Sequence, residues 1–217
     1  MKLAKYLIGI TAITLAAAAQ GVPLLQEGFD NLSTLAGSGW VRTNNSAPVG
    51  STGWFQGNAG VFMSQAGAPN SYIAANFNNA VDGGVVDNWL ISPELSLLGG
   101  ASLTFFTRTA DPGFADMLEI LFSASGSAVS SFTTSLLTVG PGTPYPTNWV
   151  EFTVVLPSVT SGRFAFHYSV PNSFDADSIG IDTVSVETPT VPEPSTYALL
   201  ALGLAGLALI RRRQRAV

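Results

Sequence analysis

Residues 149–156 read Trp-Val-Glu-Phe-Thr-Val-Val-Leu, and residues 163–170 read Arg-Phe-Ala-Phe-His-Tyr-Ser-Val. In the first stretch Val150, Phe152, Val154 and Leu156 alternate with Trp149, Glu151, Thr153 and Val155. In the second, Phe164, Phe166, Tyr168 and Val170 form one set, and Arg163 and His167 fall in the other. Side chains of a strand point alternately to its two faces, so a period of two marks strands with one buried face. The even-numbered residues are expected to point inward. His167 is then expected on the solvent face, as an ordinary strand residue rather than a catalytic one.

Working outward, no segment of 21–191 has helical periodicity. Short runs rich in Phe, Val, Ile, Thr and Ser suggest further strands at Gly60–Gln65, Ser71–Phe77, Asn88–Ser92, Ser102–Thr109, Met117–Ser123 and Ile179–Glu187. Turn-rich pieces at Ala66–Asn70, Asp82–Gly84 and Gly140–Pro146 separate them. Short strands punctuated in this way predict an all-β sandwich. Phe105 and Phe106 would occupy both faces of one strand, as in the middle of a sheet. In the last strand Ile179 and Ile181 are out of phase with Val184 and Val186, which predicts a bulge at Asp182-Thr183.

Composition narrows the function classes. The 217 residues include no Cys, a single His and only 11% charged residues, with a net charge of -5. The absence of Cys excludes disulfides, thiol nucleophiles and Cys-ligated metals. The basic residues cluster at the ends. Between 21 and 190 only Arg42, Arg108 and Arg163 stand against thirteen acids, which leaves that part near -10. Such a surface repels nucleic acid and other acidic polymers unless cations bridge them.

The ends carry addresses. Residues 1–20 combine Lys2 and Lys5, an apolar run and the small residues Ala16–Ala19, the pattern of a removable secretory signal. At the other end, Val191-Pro192-Glu193-Pro194-Ser195 precedes an apolar run, 196–210, and then Arg211, Arg212, Arg213 and Arg215. An apolar helix followed by cations is expected to span the membrane with its arginines inside, although 196–210 is short for a span. Residues 191–217 resemble a PEP-CTERM sorting signal in all three parts. The resemblance implies export by a Gram-negative bacterium and transient anchoring in the inner membrane. It also implies cleavage by an exosortase that recognises Pro192, Glu193 and Pro194, leaving the protein at the cell surface or in the extracellular matrix. Signal peptidase and exosortase are the partners expected during export.

A second resemblance covers 21–190. Asp87-Asn88-Trp89-Leu90-Ile91-Ser92-Pro93-Glu94-Leu95, followed by Leu103-Thr104-Phe105-Phe106, is similar to the central signature of choice-of-anchor J domains, related to cleaved-adhesin domains. Glu27-Gly28-Phe29-Asp30, Gly53-Trp54, Gly57-Asn58 and Ile179–Val184 add to the match. It implies a jelly-roll, galactose-binding-like sandwich in a surface protein, flanked here by an N-terminal signal helix and a C-terminal transmembrane helix.

Two candidate sites follow. Calcium takes six to eight oxygen ligands. Glu27 and Asp30 near the first strand and Asp175, Asp177 and Asp182 near the last would converge around a structural Ca²⁺ if those strands pair. Trp40, Trp54, Phe55 and Tyr145 lie in Gly-, Ser-, Asn- and Pro-rich loops, where rings can stack on sugars. Trp89 and Trp149, at strand starts, are expected in the core. No catalytic residues are expected: Glu94, Glu119 and Glu151 show no pairing that suits a glycosidase, and nucleophile-elbow, phosphate-loop and metalloprotease motifs are absent. The expected role is structural or adhesive, in association with exopolysaccharide. A carbohydrate-binding module with a specific glycan is the alternative, and an unidentified hydrolase the third reading.

Overall fold

A computed structural model describes residues 23–189 and 194–214. The chain divides into two units, a domain over 21–189 and a smaller unit holding the C-terminal helix, each treated by itself.

The strands are β1 (Pro23–Glu27), β2 (Val41–Asn44), β3 (Ala47–Val49), β4 (Phe55–Gln56), β5 (Ile73–Asn76) and β6 (Ala80–Ile91). They continue with β7 (Ala101–Thr109), β8 (Met117–Ser123), β9 (Thr134–Val139), β10 (Val150–Leu156), β11 (Arg163–Val170) and β12 (Ser178–Glu187). They form two antiparallel sheets. One runs β10-β7-β12-β5-β4, with β1 also on β12; the other runs β2-β6-β11-β8-β9, with β3 also on β6. The two sheets face each other, as an all-β sandwich requires. Phe166 of β11 meets Phe105 of β7 across the gap at 5.0 Å between ring centroids, edge to face.

Alternation explains the layers. Phe164, Phe166, Tyr168 and Val170 are all fully buried in the central core, as their spacing predicts. On β10, Val154 and Leu156 are buried and Phe152 packs beside Phe105, while Val150 reaches the exposed rim. β12 carries the expected bulge, with register shifting between Asp182 and Ser185.

Several expectations fail locally. Gly60–Gln65 is a loop, because its apolar residue Phe62 folds onto Tyr72 rather than extending a ladder. Asp82–Gly84 is not a turn but part of β6. Gly83 there takes φ +77°, and a Cβ on Gly84 would lie 2.8 Å from the Ala47 carbonyl oxygen of β3. The two glycines thus let β6 bend while staying in the sheet.

His167 is not a free solvent-facing residue either. It lies half-buried on the outer face of its sheet, where Phe132 and Val129 from the β8–β9 connection cover Trp89, Ile91, Leu121 and Ala165. The connection supplies a second small core that alternation alone does not reveal.

In the other unit, helix α1 spans Pro194–Gln214. Its first residue is proline, whose fixed φ suits a helix start. Among the described residues no helix is long and apolar enough to cross a membrane. The physical reason is length: the apolar run 196–210 covers about 22 Å as a helix, short of a hydrocarbon core of about 30 Å. The secretory signal over 1–20, together with Pro192 and Glu193, lies outside the described residues.

Candidate functional site

The pairing of β1 with β12 brings part of the acidic set together. Glu27 ends β1 opposite Val184, and Glu27, Asp30 and Asp182 line one open cleft of about 260 Å³ with Gly67 and Thr183. Phe29 and Thr183 both adopt positive φ (53° and 49°), strained values for non-glycine residues. Hydrogen bonds hold this geometry. Glu27 accepts from the Phe29 N–H at 2.8 Å. Asp182, fully buried, accepts from the N–H groups of Gln65 (2.7 Å), Ala66 (3.2 Å) and Thr183 (2.6 Å). Burial pushes the Asp182 carboxyl above its usual range, against those donors.

The five-acid calcium set does not form. Asp177 precedes β12 and Asp182 lies five residues further along it, about 16 Å at strand rise. Asp175 and Asp177 belong to the opposite end of the strand, where their carbonyls accept from Ala115 and Phe77. Asp182 already spends its carboxylate on backbone donors. Among the described residues, no group of three or more acidic or imidazole side chains is placed to hold a metal ion.

At that opposite end sits a cluster that sequence reasoning missed. Asp116 is 1% exposed. Its Oδ1 accepts from the Tyr168 hydroxyl at 2.6 Å and the Asp177 N–H at 3.0 Å. Its Oδ2 accepts from the Thr109 hydroxyl at 2.9 Å. Burial raises the Asp116 carboxyl above its ordinary range, and burial beside this carboxylate raises the Tyr168 phenol well above its own. Gly140 closes over the cluster at φ +64°, where a Cβ would come within 2.2 Å of the Asp116 carbonyl oxygen. No local signal marks Asp116, because Asp111-Pro112-Gly113 reads as an ordinary turn and its partners come from the end of β7, from β11 and from the residue before β12.

The ring set expected to hold sugars is mostly interior. Trp40 and Trp54 are 3% and 4% exposed and lie in the central core. Trp40 stands edge-on to Phe29 and Phe164 at 5.7 and 5.9 Å. Tyr145 is buried, its hydroxyl 2.6 Å from that of Thr107. Phe55 is half-buried against a third apolar cluster formed by Phe62, Tyr72 and Ala74. The Gly-, Ser-, Asn- and Pro-rich flanks signal loops, but these loops turn their rings inward: Trp40, Trp54 and Tyr145 belong to the central core. Trp89 is in the small core under the β8–β9 connection, and Trp149 is partly buried beside Phe62 and Tyr72.

His167 has polar partners on both sides. Its Nε2 is 2.9 Å from Asp87 Oδ1, its Nδ1 3.2 Å from Glu119 Oε2, and its ring stacks on Trp89 at 4.0 Å.

Residues 190–213 match the family model of the PEP-CTERM protein-sorting motif. The chain is similar to Hemagglutinin A of Porphyromonas gingivalis, with 30% identity over 165 residues, covering 70% of this chain and 6% of that protein. It is also similar to Lys-gingipain W83 of the same organism, with 28% identity covering 75% of this chain and 9% of that one. The chain therefore spans less than a tenth of these curated relatives. Among solved structures, the K1 cleaved adhesin domain of Lys-gingipain from P. gingivalis W83 aligns at TM-score 0.58 and 25% identity. That alignment covers 78% of this chain and 99% of the domain. The chain thus carries a PEP-CTERM motif behind a sandwich that matches cleaved adhesin domains in sequence and fold. Both features mark an exported cell-surface protein.

Proposed function

We propose that this protein is a structural and adhesive component of the cell surface or extracellular matrix, associated with exopolysaccharide. An N-terminal signal takes it out of the cytoplasm, α1 holds it transiently at the inner membrane, and an exosortase cleaves near Pro192-Glu193-Pro194. One observation carries the reading: a sandwich similar to a cleaved adhesin domain stands in the same chain as a PEP-CTERM motif. The short apolar run suits a temporary hold, since its roughly 22 Å leaves little apolar surface to retain the protein once the tail is cut. The surface charge shapes the partner. Thirteen acids against three arginines favour a neutral polysaccharide, or an acidic one bridged by divalent cations.

The sorting step has a direct test. In the producing cells, replacing Pro192, Glu193 and Pro194 together is expected to leave the chain full-length and cell-associated, while the wild type loses its tail. Intact-mass measurement of both proteins checks this. A variant that is shortened and released like the wild type would remove the exosortase from the reading.

A further inference from the structure

We infer that the polymer in the association proposed above is a neutral, hydroxyl-rich polysaccharide, held at one end of the sandwich on three exposed phenylalanines, Phe77, Phe114 and Phe174. The site rests on that association and gives it a place and a chemical class. Topology brings the rings together. The chain crosses from one sheet to the other between β5 and β6, β7 and β8, β9 and β10, and β11 and β12. Register puts these four crossings at the same end. Thr109 of β7 lies opposite Ile179 of β12, Met117 of β8 opposite Ser169 of β11, and Val150 of β10 opposite Thr107. Phe77, Phe114 and Phe174 come from three different crossings. Backbone bonds tie those three together: the Phe77 N–H donates to the Asp177 carbonyl at 3.0 Å, and the Ala115 N–H to the Asp175 carbonyl at 2.7 Å.

The three side chains are 41%, 40% and 65% exposed. Single exposed apolar residues are ordinary on a surface, but three on crossings bonded to one another form a shared feature. Each ring is carried on a fixed turn. Asn76 Oδ1 accepts from the Asn78 N–H at 3.0 Å and closes the turn that starts at Phe77. Asp111 Oδ1 accepts from the Gly113 N–H at 2.8 Å, just before Phe114. Asn172 Oδ1 accepts from the N–H of Phe174 itself at 3.0 Å. The Phe174 ring also lies beside Gly83 of β6, where a Cβ would stand 3.4 Å from it. Groups fixed before binding lose little freedom on binding. Between Phe114 and residues 140–145 of the fourth crossing opens a cleft of about 360 Å³, within the roughly 300–1,000 Å³ of small-ligand sites.

Charge selects the occupant. Asp111 and Asp175, both exposed, belong to the turns that carry Phe114 and Phe174. The arginines of the domain do not offset them. Arg163 begins β11 at the opposite end, Arg42 pairs with Leu90 near the far end of β6, and Arg108 is held over the Phe62 ring at 4.5 Å. An anionic polymer or an anionic lipid surface is repelled by such a site. A neutral sugar is not. Its hydroxyls donate to carboxylates, which are pure acceptors, and the C–H face of its ring leaves water against the face of a phenyl ring.

The test is affinity electrophoresis of the full chain, in mild detergent, through gels holding the producing cells' exopolysaccharide. The polymer is first divided by anion exchange into a neutral and an acidic fraction, and each gel is run with calcium and again with chelator. The wild type is expected to be retarded by the neutral fraction in both conditions. Phe114→Ala and Phe174→Ala are each expected to weaken that binding about tenfold. Their melting temperatures stay at the wild-type value, because both rings are exposed. Val155→Ser, at a 75% exposed position toward the other end, is expected to bind like the wild type. Phenylalanine variants retarded as strongly as the wild type would overturn the site and leave the association standing. A wild type retarded by neither fraction would overturn the association and the site with it. Retardation by the acidic fraction alone would overturn the neutral class. A wild type that self-associates in sedimentation velocity, beside monomeric phenylalanine variants, would give the platform to a second copy of the chain and overturn its role in holding glycan.

Discussion

Replacing Trp40 with alanine is expected to cost about 3–5 kcal/mol of folding stability, a large share of the 5–15 kcal/mol typical of a domain. The indole is 3% exposed and wedged edge-on between Phe29 and Phe164. Its neighbours belong to different parts of the fold: Phe29 follows β1, and Phe164 is on β11. Neither can collapse into the void without leaving its own contacts, so the cavity persists. The indole N–H has no hydrogen-bond partner among the described residues, so the ring stabilises by packing and burial rather than polar bonding. Chemical denaturation of wild type and Trp40→Ala measures the effect. An unchanged midpoint together with lost glycan binding would put Trp40 in a ligand site after all.

The second large effect is expected at Asp116. Asp116→Ala leaves the Tyr168 hydroxyl, the Thr109 hydroxyl and the Asp177 N–H without their shared acceptor. Each buried unmet group costs about 1–3 kcal/mol, offset in part by removing a desolvated charge, for a net loss of about 2–4 kcal/mol. Asp116→Asn keeps an acceptor for Tyr168 and is expected to cost less. The pair also separates by pH. Burial raises the folded-state pKa of Asp116 above its unfolded value. The folded protein then binds the proton more tightly, so this group favours folding most at low pH, and that contribution is lost as pH rises through the raised pKa. Thr109 can accommodate the proton by turning its own hydroxyl to the Ser178 carbonyl, 3.2 Å away. Asp177 and Asp182 are raised by burial as well and act in the same direction. The wild type is therefore expected to melt higher in mild acid than at neutral pH, and Asp116→Asn to show a shallower dependence. Parallel pH profiles for the two proteins would exclude Asp116 as a source of the slope.

What could be read from the chain depended on whether the determining contacts were local. β7, β8, β10, β11 and β12 each have runs of seven residues or more, and their alternation or β-rich composition identifies them to within a residue or two. β3 and β4 have three and two residues, too few for any period to register. β9, Thr134–Val139, is an edge strand whose leucines are only half-buried, so its two faces look alike in sequence. The bulge at Asp182-Thr183 was legible because a phase change of the apolar residues records it directly.

The candidate sites were less legible for the same reason. Loops around Trp40 and Trp54 look solvated, yet both indoles are buried in the central core, and around Trp54 distant side-chain amides tie the backbone in place. The Gln56 amide donates to the carbonyls of Phe29 and Asn70 at 2.8 and 2.7 Å, and the Asn79 amide to that of Gly53 at 2.8 Å. Nothing in a local window records such bonds. The acids near the first and last strands were correctly associated as far as β1 and β12 pair. The same strand, by its length, carried Asp177 away from Asp182. His167 was placed on the correct face, but the cover supplied by Phe132 has no periodic signature.

Co-sedimentation of purified residues 21–189 with the exopolysaccharide of the producing cells is the most direct test of the adhesive role. It should be run with calcium and again with chelator. The domain is expected to pellet with the polymer, and with an acidic polymer to do so only while the divalent cation is present, since a surface near -10 needs a bridge. Domain that stays in the supernatant under both conditions would contradict the association with exopolysaccharide.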